Sequence, residues 1–316
     1  MKLNSFWLWA VIIAAVGAAE TIFDVFAVNT FFFFAGYVVL QYVVLATAWN
    51  IMGGYMGYVN FGSAGFFAVG AYSSVVMYKL IEAPLFVMIP ISGIVCGLIG
   101  LGMGYLTLRL RGVFFAIATL AMAVVFETLI VNWEYVGGAS GAYILRSKEI
   151  EPFGDYVEYL FFAMLLLAIF AVAVARWIER SKIGRGLCAI RDDEVAAECT
   201  GVPTLRLKLI ATTVSGFLMG VAGSPFPLYV SFVEPASAFN LVYAVNSIAM
   251  PMIGGATTWL GPVVGALVLG IVQQVATVTI SSELNLLIVG VLLVFFVIVA
   301  PEGIVGLVRK WRGGGK

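Results

Sequence analysis

A chain of 316 residues that is 62% hydrophobic, 11% charged and of mean hydropathy +1.07 cannot cover a water-facing surface, because soluble domains carry about 25% charged residues. Lipid is its main solvent. Zero net charge leaves no electrostatic case for nucleic acid, and the absence of His removes the commonest metal ligand, general base and proton shuttle.

A transmembrane helix needs about 20 mainly apolar residues. Ten runs satisfy this: 6–23, 30–51, 58–78, 85–108, 113–133, 157–177, 208–230, 240–254, 262–280 and 284–300. The fold class is therefore an all-α integral membrane protein, a polytopic bundle of about ten transmembrane segments. The first run, MKLNS followed by an apolar stretch and Gly17-Ala18-Ala19, also fits a signal peptide; the reading adopted is a retained helix. With the N-terminus inside and the spans alternating, every one of the 17 Lys and Arg except Lys79, Arg146 and Lys148 falls in the cytoplasm. Cytoplasmic loops carry such an excess, so both termini are placed there.

Glycine marks the helix contacts. Gly93, Gly97, Gly100 and Gly104 recur at three- and four-residue spacing, and Gly216/Gly220 and Gly261/Gly265 repeat the small-xxx-small pattern that lets helices approach closely in lipid. Two stretches, 53–65 and 254–262, are too rich in glycine for ordinary helix. Irregular backbone at membrane depth survives where protein or a water-filled cavity covers it, so Asn60, Gly62, Ser63, Gly254 and Gly255 are candidates for lining a substrate path. Asn246 and Glu127 join them as polar residues within apolar runs. Helix-to-helix bonding is the plainer role for these residues. Residues 134–156 form the main extracytoplasmic loop, a docking surface or a plain solvated loop.

Titratable groups at membrane depth are scarce. The spans show no buried Lys or Arg and one marginal carboxylate, Glu127. Ion-coupled carriers need such groups, so the driving energy comes from elsewhere. A membrane enzyme lacks a clustered nucleophile and base here, and a channel would conduct alone. Cys96, Cys188 and Cys199 have neither disulfide nor zinc-site spacing. No catalytic, cofactor-binding or metal residue is expected, and no GxxxxGK[ST] phosphate loop occurs in the chain. If ATP drives the process, the ATPase is a separate polypeptide.

Residues 176–208 carry seven of the 17 Lys and Arg. Gly184 and Gly186 precede a predicted helix over 187–200, which Gly201 caps and Pro203 stops. Ala189, Asp193, Ala196 and Thr200 share one small face of that helix, suited to a groove on another protein.

Four segments resemble a known family: GGYMGYVNFGSAGFFAVGAY at 53–72, LRLRGVFFAIATLAMA at 108–123, SKIGRGLCAIRDDEVAAECTGVPTLRLKL at 181–209 and MIGGATTWLGPVVGA at 252–266, with APEGIVGL at 300–307. The chain resembles the membrane permeases of branched-chain amino-acid ATP-binding-cassette importers, of the LivM type. Similar permeases serve urea, short-chain amides and other amino acids.

The resemblance implies the importer permease fold in a single transmembrane domain over 1–316, in the inner membrane of a prokaryote. It implies pairing with a second, paralogous permease, two cytoplasmic ATPase subunits that use the ATP, and an extracytoplasmic solute-binding protein. The cytoplasmic loop 178–207 then looks like the ATPase-coupling segment, through Arg185, Arg191, Asp192, Asp193, Glu194, Ala196, Ala197 and Gly201. Importer permeases carry an EAA-xxx-G signature there. Ala196, Ala197 and Gly201 keep its spacing, while Val195 stands in place of its Glu, with Glu194 one position earlier.

Overall fold

The computed structural model describes residues 31–107, 110, 112–144, 156–279, 285–299 and 303–307. The predicted span 6–23 lies outside them. In chain order the elements are α1 (Phe31–Gly53), α2 (Ser63–Ile81), α3 (Leu85–Thr107), α4 (Val113–Val131), β1 (Ala142–Tyr143), α5 (Tyr156–Arg180), α6 (Lys182–Asp192) and α7 (Glu194–Cys199). There follow α8 (Thr204–Gly223), α9 (Phe226–Val230), β2 (Phe232–Val233), α10 (Pro235–Ala238), α11 (Leu241–Gly254), α12 (Leu260–Thr279) and α13 (Asn285–Val299).

Among the described residues, eight helical segments are long and apolar enough to cross a bilayer: α1 to α5, α8 with α9, α10 with α11, and α12. Helix α13 has 15 residues. The predicted third span begins too early, because residues 57–62 are not helical and α2 starts at Ser63. The charged loop is shorter than expected: α5 runs on to Arg180 and α8 begins at Thr204.

Helices α1 and α8 sit at the centre, and 72% of the most apolar stretch of each is buried; for α4 the figure is 22%. A helix apolar on all sides belongs in the middle of a bundle, and α1 packs on α5, α8, α11 and α12. Glycine sets the closest approach. Helices α3 and α8 make the most extensive contact in the bundle, where a Cβ on Gly100 would lie 2.8 Å from the Thr212 carbonyl and one on Gly216 would lie 2.9 Å from that of Cys96. A Cβ on Gly254 would overlap the Gly261 carbonyl, which locks α11 to α12.

The α6–α7 segment lies at one end of the bundle, here termed the loop end. At the other end β1 pairs antiparallel with β2, Ala142 opposite Val233, and the Lys79 ammonium donates to the Tyr135 carbonyl at 3.0 Å. This clips the start of the 134–156 segment to the bundle; residues 145–155 lie outside the described set.

Candidate functional site

The predicted helix 187–200 is two helices. Asp193 is extended (φ −160°, ψ 111°), and its carboxylate accepts from the N–H groups of Val195 and Ala196 at 2.9 and 3.0 Å, capping α7. An aspartate that bonds its own backbone two and three residues on favours such a cap over helix interior. The break dissolves the face predicted for Ala189, Asp193, Ala196 and Thr200. Gly184 and Gly186 lie inside α6 rather than before it. Ser181 caps that helix, accepting from Ile183 and Gly184 N–H, and the two glycines let it press on Glu179 and Leu207. Gly201 does end α7, with φ +84°, and its N–H donates to the Glu198 carbonyl at 3.0 Å.

Beneath α7 lies the feature that sequence reasoning missed. Lys208, one turn into α8, is buried, its side chain 3% exposed and that of Glu194 13%. Its ammonium donates to Glu194 Oε1 at 2.5 Å and to the Tyr58 hydroxyl at 2.8 Å. The Tyr58 hydroxyl in turn donates to Glu194 Oε2, and the ammonium sits 4.7 Å from the centre of the Tyr58 ring. This corrects the expectation of no buried Lys or Arg; Arg176 on α5 is buried as well. Glu194 turns inward, while Val195 and Ala196 face out and Ala197 packs inward.

The same loop grips the glycine-rich stretch 53–62. Arg191 donates to the Gly54 carbonyl at 3.1 Å. Gly57 has φ +79°, and a Cβ there would lie 2.8 Å from Arg191 Cγ, so only glycine suits the position. Helix α5 grips the other stretch. Glu179 Oε2 accepts from Trp259 N–H at 2.7 Å and from the Tyr55 hydroxyl at 3.3 Å, and the Arg176 guanidinium lies 5.1 Å from the Trp259 ring centre. Burial, then the Glu179 carboxylate, pushes the Tyr55 hydroxyl well above its ordinary pKa and keeps it a donor. Asn50 bridges the two stretches by donating to the Thr258 carbonyl at 3.4 Å. Of the other loop candidates, Asp192 is exposed and pairs with its neighbour Arg191 at 3.4 Å, and Arg185 is exposed.

The path candidates divide into separate groups. Asn60 is buried; its side-chain oxygen accepts from Gly62 N–H at 2.8 Å, and its carbonyl accepts from Trp49 Nε1 at 2.9 Å. Ser63 bonds Ser247 at 2.8 Å, joining α2 to α11. Asn246 accepts from Gln273 at 3.0 Å, joining α11 to α12. Gly254 and Gly255 pack against Gly261 at the loop end. Glu127 stands apart, half-buried on α4. A cleft of about 600 Å³ runs between α2, α3 and α4, lined by Tyr72, Val76, Val95, Phe126, Leu129 and Trp133 among others. It is apolar, and none of these candidates lines it.

The described residues form a multi-pass helical bundle with a capped, ion-pinned helix pair at one end. The chain belongs to the branched-chain amino acid transport system permease component family, whose model matches residues 30–297. It is similar to the high-affinity branched-chain amino acid transport system permease protein LivM of Escherichia coli (strain K12), 27% identical over 295 residues, covering 85% of this chain and 68% of that one. It is also similar to the probable branched-chain amino acid transport permease protein LivH of Methanocaldococcus jannaschii, 22% identical over 271 residues, covering 80% and 84%. The high-affinity permease protein LivH of Escherichia coli (strain K12) matches over 146 residues at 27% identity, covering 46% of this chain and 44% of that one.

Proposed function

We propose that this chain is one permease subunit of an ATP-binding-cassette importer for branched-chain amino acids or a related small polar solute. It supplies the conduit and separate ATPase subunits supply the energy. The observation that carries this reading is the α6–α7 pair. It is short, capped at both ends, and presents Arg185, Asp192, Val195 and Ala196 outward, while Glu194 and Arg191 tie it inward. That is a docking element with a mechanical connection to the bundle.

The excess of Lys and Arg at the loop end supports a cytoplasmic position for it, in the inner membrane of a prokaryote with both termini inside. The β1–β2 end, facing outward, would meet a solute-binding protein. Similarity to both LivM and LivH permeases supports a paired arrangement with a paralogue. ATP would be bound by the two ATPase subunits and by nothing on this chain. The internal partners of Asn60, Ser63 and Asn246 favour helix bonding over contact with cargo. Lys208 is a poor coupling-ion group, since it is already neutralised by Glu194.

The test is reconstitution with the sister permease, the ATPase subunits and the binding protein, with Asp192→Arg as the probe. Asp192 is 73% exposed, so the reversal should leave the fold intact and lower uptake per ATP hydrolysed. Vigorous transport by the chain alone, or unchanged coupling in the variant, refutes the reading.

A further inference from the structure

The geometry points to Tyr58 as the joint through which a displacement of α7 reaches α4, making α4 the helix that moves when the ATPases act. The inference rests on the coupling role of the α6–α7 pair. Tyr58 has two working ends. Its hydroxyl is fixed by Glu194 of α7 and Lys208 of α8. Its ring meets Phe115 of α4 edge-on, with centroids 5.1 Å apart and an interplanar angle of 83°. Phe115 is fully buried, so the contact is a packed one and transmits displacement. Three residues on, Phe61 N–H donates to Thr119 Oγ1 of the same helix at 3.1 Å.

The other elements that the loop touches are held. Arg191 reaches the end of α1, but α1 lies at the centre of the bundle and is tied to α8 by Ser215 Oγ on the Ala48 carbonyl at 2.8 Å. Helix α2 is pinned by Ser63 to Ser247 and by Ser74 to Ser92 and Ser224. Helix α4 is tied by fewer such bonds among the described residues: Phe61 N–H to Thr119 Oγ1 near its start, and the Lys79 bond to the Tyr135 carbonyl just past its end. It begins at Gly112, with φ +56°, and it is the least covered of the eight spans. It meets α2 through small groups: Cβ atoms on Gly62 and Gly65 would lie 2.9 Å from the Thr119 carbonyl and 3.0 Å from Ala123 Cα. The apolar cleft between α2, α3 and the far half of α4 leaves room for Phe126 and Leu129 to shift. Low coverage and an adjoining space thus coincide on the helix that packs against the Tyr58 ring. Tyr58 is a positioning residue, acting through α4 and not on cargo.

The experiment uses the complete reconstituted importer with Cys96, Cys188 and Cys199 replaced, and an environment-sensitive label at Val124→Cys on α4 or Val195→Cys on α7. Tyr58→Phe keeps the ring against Phe115 and removes only the hydroxyl. The expected result is an ATP-dependent change in the Val124 signal that Tyr58→Phe largely abolishes. Uptake per ATP should fall at least about tenfold, since the hydroxyl's bonds to two charged groups are lost. Phe115→Leu should weaken the same signal in part. If the ATPase subunits protect the Val195 label but the Val124 signal and the uptake ratio are the same with and without the Tyr58 hydroxyl, this inference fails and the coupling reading stands. If the Val195 label is never protected, both fail.

Discussion

The pair Lys208–Glu194 can be dissected by a double-variant cycle whose outcome is asymmetric. Glu194→Ala leaves a buried ammonium against the Tyr58 hydroxyl and ring with no carboxylate to balance it, and stranding one member of a buried pair costs about 3–5 kcal/mol. Lys208→Met strands a carboxylate that is already 13% exposed, on a surface helix. That carboxylate keeps the Tyr58 hydroxyl and can turn toward water, so its loss is smaller, about 1–2 kcal/mol. With both replaced no charge is stranded, and the remaining cost is the loss of the Tyr58 hydroxyl's bonds to the pair, about 1 kcal/mol. The double variant is therefore more stable than Glu194→Ala alone, and the coupling between the sites is at least about 3 kcal/mol. The assay is the unfolding of the purified permease pair against increasing sodium dodecyl sulfate, read by tryptophan fluorescence. Equal single losses that simply add in the double variant would mean that the two groups do not share a buried site.

Asp193→Ala removes both acceptor bonds at the start of α7 and should cost about 1 kcal/mol, with uptake falling further than the ATP hydrolysis it should drive; Asp193→Ser, another cap former, should restore most of it. Gly254→Ala places a Cβ into the Gly261 carbonyl, and since backbone must shift to admit it, the yield of folded protein should fall sharply, checked by size exclusion in detergent. Glu127→Gln should leave uptake within about twofold, because its helix position brings it near none of the loop-end contacts; complete loss with ATPase docking intact would revive an ion-coupled carrier. Cys199 is exposed at the loop end and Cys96 is buried, so a membrane-impermeant maleimide should modify Cys199 in inside-out vesicles and spare it in intact cells.

The spans were legible because their signal is composition over about 20 residues, and the glycine seams because small residues at helical spacing have few other uses in lipid. Gly93, Gly100, Gly216 and Gly220 do line the α3–α8 contact. The loop was harder. Periodicity merged α6 and α7 into one helix, since Asp193 caps with a side chain whose alternative, pointing outward from a continuous helix, leaves the same letters in the sequence. Lys208 was hidden by position: a cation at the start of an apolar run reads as an interfacial anchor, and only the fold brings Glu194 and Tyr58 onto it, 14 and 150 residues away in sequence. One signal was present. Glu194 lies one place before Val195, which faces out, and on a helix one residue turns a side chain through about 100°, enough to move it from the outer face to the inner one.

That single-residue offset connects the chain's economy of charge to its mechanism. Helix α7 is only six residues long and buries Ala197 alone among them, so its seat on the bundle leans on directional bonds. In a medium of low effective dielectric one ion pair with a shared hydroxyl can hold it, provided every polar group is satisfied. Lys208, Glu194 and Tyr58 meet that condition among themselves, and Arg191 adds a second point on Gly54. Two points of attachment fix the orientation of the segment as well as its position. On the proposed coupling role, a load applied to Val195 or Ala196 on the outer face would pass into the bundle along these defined bonds rather than dissipate in a flexible loop.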